Sequence, residues 1–410
     1  MSSGRRRKTM SSTTEQTFRS AIQTLLILAA LGAAPAGWSQ TKDEALIAQK
    51  PQVLQPAFRK LVEGGQRDSV LNNMEITSLA LQVDHFDEAA SAIDRALRDI
   101  EQYFGLTPEA LKARSLWYEE GSKTFKGEPY ERAMAHYYRG MLDLRAGDYD
   151  NARAAFTSGN LQDAFAEEEQ FQSDFSLLIF LSAWSAQLSG ARSLAEDSYA
   201  QLMKLRPGFA APPPEHDTLV IVETGKSPRK LADGLGHAEL VYRRDKKLKE
   251  QTVQLSVGDK ALPILTEDIF FQASTRGGRQ VDRILEGKVQ FRNNTARAGG
   301  ALTELGDAFS DVALATNDSQ AGDLGAALSV VGSMQLLVAQ NAKPRADTRY
   351  WSGLPDGIHV LTYSSAEHGT GPVEITYFDA KGTPLPDLKQ VVGRIDTGKG
   401  AGLVWAISKH

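Results

Sequence analysis

Cysteine is absent from the 410 residues of this chain. Its absence excludes a cysteine nucleophile, a thiolate metal site, thiol redox chemistry and a lipid-modified N-terminal cysteine. It also excludes disulfides, and a chain of this length buries enough apolar surface to fold without them. The sequence therefore predicts a fold that is stabilised by packing alone.

The chain also lacks a strong excess of charge of either sign. Its 46 Lys and Arg residues stand against 51 Asp and Glu residues, which gives a formal net charge of −5. A nucleic-acid-binding protein needs a concentrated basic face, and nothing in this composition provides one. We expect no nucleic-acid partner.

The motifs of well-known catalytic sites are missing as well. The sequence contains no H-E-x-x-H, no G-x-S-x-G and no complete phosphate-binding loop, and its seven histidines are scattered without ligand spacing. His136, for example, lies beside two tyrosines on a predicted repeat helix, where a packed or surface histidine is the simpler interpretation. We expect no catalytic residue, no metal site and no cofactor, and an enzymatic activity is the less favoured interpretation.

One long apolar run stands near the N-terminus. The stretch "SAIQTLLILAALGAAPAGWSQ" follows Arg19, and Ala34-Pro35-Ala36 forms a small-residue cleavage site before Gly37, with a nearby alternative at Ser39. We predict that residues 1–39 are a signal peptide, cleaved near 36–39, that directs the chain to the periplasm. An uncleaved signal that acts as an anchor is the alternative.

Residues 40–209 have helical periodicity with weak internal repetition. Three stretches, 79–97, 133–156 and 179–208, share a turn followed by alanines at helical spacing, as in tetratricopeptide repeats. Three such units are enough to stack on a common core, so we predict a tetratricopeptide-like α-solenoid. The residues expected to shape it are Gly140, Tyr149, Ala152, Phe156, Ala195, Tyr199 and Pro207.

The pattern changes after the repeats. Four prolines between Arg206 and Asp217 predict a stiff linker at 210–217. From 218 to 410 the apolar period becomes two, as in "TLVIVETG", "GIHVLTYSS" and "AGLVWAIS". The strands fall into two groups separated by a helical region, which favours a mixed α/β domain with a largely antiparallel sheet over a doubly wound one. The predicted fold class is thus α+β with several domains.

Three polar clusters remain as candidate sites: "VETGKSPRK" at 222–230, "TRGGRQVD" at 275–282 and "RADTRYWSGLP" at 345–355. One interpretation is an anion site in which arginines donate paired hydrogen bonds beside a glycine backbone. The other is structural, with the same residues forming ion pairs and a helix-entry turn. The candidate ligand-binding residues are Arg276, Gly277, Gly278, Arg279, Asp282, Asp347 and Arg349.

These clusters also carry a resemblance. Together with "GEPYERAMAHYYRGMLDLRAGDYDNARAAF", the motifs "FQASTRGGR" and "ADTRYWSGLP" resemble the signature of a family of bacterial envelope proteins, many of them lipoproteins. The similarity runs from about Leu71 to the end of the chain. It implies a tetratricopeptide-like first half and a C-terminal domain, but no activity and no catalytic residue. Because no cysteine follows the signal, lipid attachment does not carry over.

The sequence therefore favours an exported, non-enzymatic scaffold. It would bind a partner protein or peptide on the repeats, associate with the envelope or membrane, and act in cell-envelope assembly or maintenance. One alternative is a receptor or enzyme for a small anionic ligand at the loop 275–282. A weaker alternative is a cell-wall glycan binder that uses Trp38, Trp117 or Trp405. The identity of the partner and the oligomeric state stay open.

Overall fold

The computed structural model describes residues 43–103, 124–163, 175–226, 228–233, 239–244, 249–257, 261–274 and 347–408. Contacts between Cα atoms divide the chain into two units, Met1–Val62 and Glu63–His410. In the first unit, residues 43–48 are helical and Arg59 forms an ion pair with Glu44 at 3.3 Å. The elements discussed below belong to the second unit, except for residues 55–62 at the start of the first long helix, which belong to the first unit.

Six longer helices follow residues 43–48 in the first part of the described chain. They are α1 (Gln55–Gln82), α2 (Phe86–Tyr103), α3 (Pro129–Arg145), α4 (Tyr149–Asp163), α5 (Ser176–Ser189) and α6 (Arg192–Leu205). From α2 onward each helix packs against the next one along the chain. Helix α1 is interrupted at Gly65, whose φ of 54° and ψ of −157° are not helical.

The turn between α3 and α4 explains why this pair is antiparallel and close. Gly147 follows the end of α3 with a φ of 78°, a left-handed conformation that favours glycine at a helix C-terminus. Asp148 then accepts the backbone N–H of Asn151, which satisfies a free donor in the first turn of α4. Gly140 lets the two helices approach, since a Cβ at that position would lie 2.5 Å from Cε1 of Phe156.

The remaining part of the chain consists mainly of strands. These are β1 (Thr218–Thr224), β2 (Arg229–Asp233), β3 (Glu239–Arg243), β4 (Thr252–Leu255), β5 (Leu262–Asp268), β6 (Gly357–Tyr363), β7 (Val373–Phe378), β8 (Gln390–Val392), β9 (Ile395–Gly398) and β10 (Ala401–Ile407). Two short helices, α7 (Ile269–Ser274) and α8 (Ser365–His368), and a 3₁₀ turn at Pro386–Leu388 accompany them.

The strands form three sheets, of order β5-β6-β1-β10-β9, β2-β3 and β4-β7-β8. β1 and β10 pair in parallel, and the other pairs are antiparallel. The prediction of a mixed helix-and-strand chain with largely antiparallel sheets is therefore confirmed. The domain boundary at 210–217 stays a prediction: helix α6 ends at Leu205 and β1 begins at Thr218, but the contacts do not divide the chain there.

The five-stranded sheet is covered on both faces at its centre, which is why all residues of β1 are buried. Alternate residues of β1 and β10, such as Val220 and Val404, pack in a core shared with the three-stranded sheet. The residues between them point the other way, and there Glu223 meets tyrosines of α3. In sequence, a central strand that is buried on both faces is a continuous run of mainly apolar residues, and "TLVIV" in β1 is such a run.

Three buried glutamates connect the helices to the strand-rich part. Glu131, Glu223 and Glu267 are each at most 2% exposed. Glu267 at the end of β5 accepts the backbone N–H of Leu177 in the first turn of α5 at 3.0 Å. A carboxylate at a helix N-terminus satisfies a free N–H and interacts favourably with the helix dipole.

Candidate functional site

The predicted site residues fall into two groups, those outside the described part of the chain and those within it. Arg276, Gly277, Gly278, Arg279 and Asp282 lie outside the described residues. Asp347 and Arg349 lie in the extended segment 347–356, which precedes β6. This segment carries most of the third polar cluster, and it crosses helices α1 and α3.

Arg349 is held by two carboxylates rather than presented to solvent. Its Nη2 lies 2.6 Å from Oδ2 of Asp347, and its Nη1 lies 2.5 Å from Oδ1 of Asp68 on α1. The three side chains are each 17 to 20% exposed. The guanidinium also lies 5.5 Å from the ring centroid of Phe125. These contacts fit the structural interpretation of this cluster, in which Arg349 positions the segment against α1.

The next residues of the segment are bound through their backbone. Trp351 N–H donates to Oε1 of Glu131 at 2.7 Å, and Ser352 donates from its N–H and its Oγ to Oε1 of Glu75 at 2.7 and 2.8 Å. The Trp351 side chain is fully buried, and its Nε1 donates to Oγ of Ser78 at 2.7 Å. Helices α1 and α3 thus both bind the segment 347–356 of the same chain.

Helix α3 is built to present the acceptor for Trp351. It begins with Pro129 at its first turn, where a missing N–H costs nothing. Glu131 reaches back so that its Oε2 accepts the N–H of Glu128 at 2.7 Å, and its other oxygen remains for Trp351. Burial raises the pKa of Glu131 to about 7, although nearby Lys230 acts in the opposite direction.

Lys230 links the first and third polar clusters. Its Nζ lies 2.5 Å from Oε1 of Glu128 and 3.2 Å from the backbone oxygen of Arg349, and the residue is 3% exposed. A buried ammonium needs such partners, because desolvation is costly for an unpaired charge. The ammonium group of Lys230 therefore makes its hydrogen bonds and its ion pair inside the fold.

Glu223, at the end of β1, is the centre of a second buried network. Its Oε1 accepts Tyr137 Oη and Trp405 Nε1, both at 2.9 Å, and its Oε2 accepts Tyr138 Oη at 2.8 Å. Burial raises the pKa of Glu223 to about 7, against the lowering effect of these three donors. Burial and the neighbouring Glu223 raise the pKa of both tyrosines well above the usual value, so they act as hydrogen-bond donors and stay protonated.

Aromatic packing joins the two networks. The ring centroid of Tyr138 lies 5.5 Å from that of Trp351 and 6.4 Å from that of Trp405. Trp405, a candidate for glycan contact in the sequence, is half-buried and uses its indole N–H for Glu223. Trp38 and Trp117, the other two candidates, lie outside the described residues.

A cavity of about 180 Å³ lies beside Glu223. Its lining comes from the first and third polar clusters together with the ends of α1 and β10. The lining residues are Gln82, Glu223, Gly225, Lys226, Ser352, Gly353, Leu354, Pro355 and Ile407. Two of the three polar clusters thus meet at one place, while the cluster 275–282 lies outside the described residues.

The sequence interpretation missed the residues that carry these networks. It included Glu223 only as a member of the polar cluster 222–230, and it gave Glu131, Tyr137 and Tyr138 no role. The available signal was a glutamate that ends the apolar run "TLVIV" and a Tyr-Tyr pair on a helix. The repeat residues Tyr149, Ala152, Phe156, Ala195 and Tyr199 are buried, Gly140 lies at the α3–α4 contact, and Pro207 follows α6.

In the described ranges, no group of three or more His, Asp or Glu side chains is placed to hold a metal ion. No helix in those ranges combines the length and apolar character needed to cross a membrane.

Comparison with known proteins adds no assignment. The chain matches no family model, no curated protein and no solved structure. The resemblance to envelope proteins therefore stays a hypothesis, and the site is interpreted from its own geometry.

Proposed function

We propose that this chain is an exported, non-enzymatic scaffold that binds a partner protein or peptide on tetratricopeptide-like repeats and serves cell-envelope assembly or maintenance. The observation that carries the proposal is the way α1 and α3 hold the segment 347–356. Glu75, Ser78 and Glu131 bind it through backbone N–H groups and a buried tryptophan. Stacked helical repeats create extended concave surfaces on which other molecules bind.

The same observation limits where the partner docks. Helix α3 is buried almost throughout, because it contacts α4 on one side and the segment 347–356 and β1 on the other. We propose that the partner binds outside this junction, on the exposed sides of α4 and α6. The N-terminal apolar run supports export, and we propose that the scaffold acts in the periplasm.

The receptor or enzyme alternative centred on 275–282 stays a second hypothesis. In the described part of the neighbouring clusters, the cations Lys230 and Arg349 are occupied by carboxylates of the fold. This use of cations for internal ion pairs favours the structural interpretation of these clusters. The glycan alternative has less support, since Trp405 is turned towards Glu223.

Photo-crosslinking in intact cells tests the scaffold proposal. A benzophenone amino acid is placed at the exposed positions Ala154 on α4 and Ala200 on α6, and at the exposed positions Lys381 and Val391 in the strand-rich part. The proposal predicts the same discrete crosslinked partner from both helix positions and none from the strand positions. Products confined to Lys381 and Val391, or no product from any position, would contradict it.

A further inference from the structure

The cavity beside Glu223 lies at the carboxyl ends of two neighbouring strands. β1 and β10 run parallel, and Glu223, Gly225, Lys226 and Ile407, which lie at or just beyond these ends, line the cavity. Residues 352–355 line it as well.

Glu223, whose carboxylate is buried, is one of the residues that line the cavity. Each carboxylate oxygen can accept two hydrogen bonds. Within the described part of the chain, Oε1 of Glu223 accepts two hydrogen bonds and Oε2 accepts one, from Tyr138. Oε2 therefore has capacity for one more donor, and a cationic donor would also neutralise the buried charge.

The exposed part of the lining carries the opposite charge. Lys226 is exposed and makes no ion pair with any described residue, and it lines the same cavity as Glu223. Gln82 and Ser352 are also exposed lining residues, whereas Leu354 and Pro355 are buried and apolar. The cavity thus presents a buried anion, a short apolar wall and an exposed cation.

We propose that this cavity binds a small zwitterion of amino-acid size, whose ammonium group contacts Glu223 and whose carboxylate group contacts Lys226. The volume of about 180 Å³ limits the ligand. An engineered cavity of about 150 Å³ holds one benzene molecule, so a molecule of six to nine non-hydrogen atoms is about the largest that fits. A peptide or a nucleotide is too large. This inference does not depend on the scaffold proposal, because the cavity lies inside the junction that the partner does not use.

Calorimetric titration of the purified mature chain at about pH 8 tests the proposal. The zwitterionic probes are glycine, β-alanine and γ-aminobutyrate, and the matched controls are n-propylamine and propionate. We expect saturable binding of at least one zwitterion with a Kd of about 1 mM or lower, equivalent to about −4 kcal/mol. Each control compound, which carries only one of the two charges, should bind at least about tenfold more weakly.

Variants connect the binding to the cavity. Lys226→Met removes an exposed cation and should weaken the zwitterion at least about tenfold, whereas Lys204→Met, on the exposed side of α6, should leave it unchanged. Glu223→Gln should abolish binding, and Ile407→Phe should do so by filling the cavity from β10, where residue 407 lies opposite Glu223 in the strand register, while the carboxylate itself is kept. Circular dichroism establishes that each variant is folded.

Three results would overturn the proposal. One is the absence of saturable binding for all three zwitterions to the wild-type chain. Another is equal binding of n-propylamine and the best zwitterion, which would mean an amine site. The third is binding that survives both Lys226→Met and Ile407→Phe, which would place the ligand elsewhere on the chain.

Discussion

The hydroxyl of Tyr138 lies 2.8 Å from Oε2 of Glu223, so helix α3 donates directly to a carboxylate buried at the end of β1. The neighbouring Tyr137 does the same to Oε1 at 2.9 Å. Two consecutive residues of one helix thus bind both oxygens of a single side chain. This contact joins parts of the chain that are 85 and 86 positions apart in sequence.

The first prediction concerns the charge of Glu223. Burial raises its pKa to about 7 in the folded chain, above the value of 4.5 for an exposed glutamate. Between these values the folded state binds more protons than the unfolded state, so the contribution of Glu223 to stability falls as the pH rises towards 7. The free energy of unfolding of Glu223→Gln should therefore increase relative to that of the wild type, by up to about 3 kcal/mol, as the pH rises from about 5 to about 8.

The measurement is urea unfolding of both proteins at several pH values. The pH dependence of the wild type alone does not isolate Glu223, because burial lowers the pKa of His136 and His359 to about 4. These two histidines make the free energy of unfolding rise with pH between about pH 4 and 6.5, which is opposite to the effect of Glu223. Both proteins contain these histidines, so the histidine contribution cancels in the difference between the two free energies of unfolding. A difference that does not change with pH, or that moves against the variant as the pH rises, would show that the three donors outweigh burial.

The second prediction concerns Arg349. Arg349→Met leaves Asp68 and Asp347 without their shared partner in a place that is about one-fifth exposed. We expect a loss of about 2 kcal/mol in the free energy of unfolding, because each carboxylate loses charged hydrogen bonds. Lys389→Met is the control, since its pair with Glu374 is more than 40% exposed on both sides and should be worth less than about 1 kcal/mol. Equal effects of the two substitutions would contradict the role given to Arg349.

The third prediction concerns the helix pair α3–α4. Ala152 is fully buried on α4, and Phe156, one turn further on, packs against Gly140. Ala152→Leu should overpack this contact and destabilise the chain by about 1–3 kcal/mol. Ala154→Leu, on the exposed side of the same helix, should change stability by less than about 0.5 kcal/mol. If thermal unfolding gives the same midpoint for both variants, the register of the repeat is wrong.

The fourth prediction concerns export. A cleavable signal at residues 1–39 predicts a mature chain that begins near Gly37 or Gln40. Intact-mass spectrometry of the periplasmic fraction measures this directly. Recovery of the full-length chain only, and only from membranes, would support the retained anchor instead.

Local sequence patterns predicted the elements whose environment is uniform. The run "TLVIVETG" is a buried strand, and Gly147 and Gly190 follow helices in left-handed conformations. Strand β2 (Arg229–Asp233) was missed, because its charged residues resemble a loop and Lys230 is buried through its contacts with Glu128 and the backbone oxygen of Arg349. The stretch "KQVVGRID" contains two strands, β8 and β9, because Arg394 between them turns to donate to Thr218 and Gly400.

The networks of the site could not be predicted in the same way. Trp351 and Glu131 are 220 residues apart, and no periodicity of either segment specifies that a backbone N–H of one meets a carboxylate of the other. The ion pair of Asp347 with an arginine was predictable, because Arg349 is two residues away. The second partner of Arg349, Asp68, lies 281 residues away and required the fold.

The central claim is that helices α1 and α3 bind the segment 347–356 by its backbone. Native-state hydrogen exchange of the Trp351 amide tests it most directly, since this N–H donates to the buried Glu131. The account predicts that the Trp351 amide exchanges as slowly as that of Ile221 in the buried strand β1, and far more slowly than that of the exposed Gly371. Exchange of the Trp351 amide at the rate of Gly371 would contradict the claim.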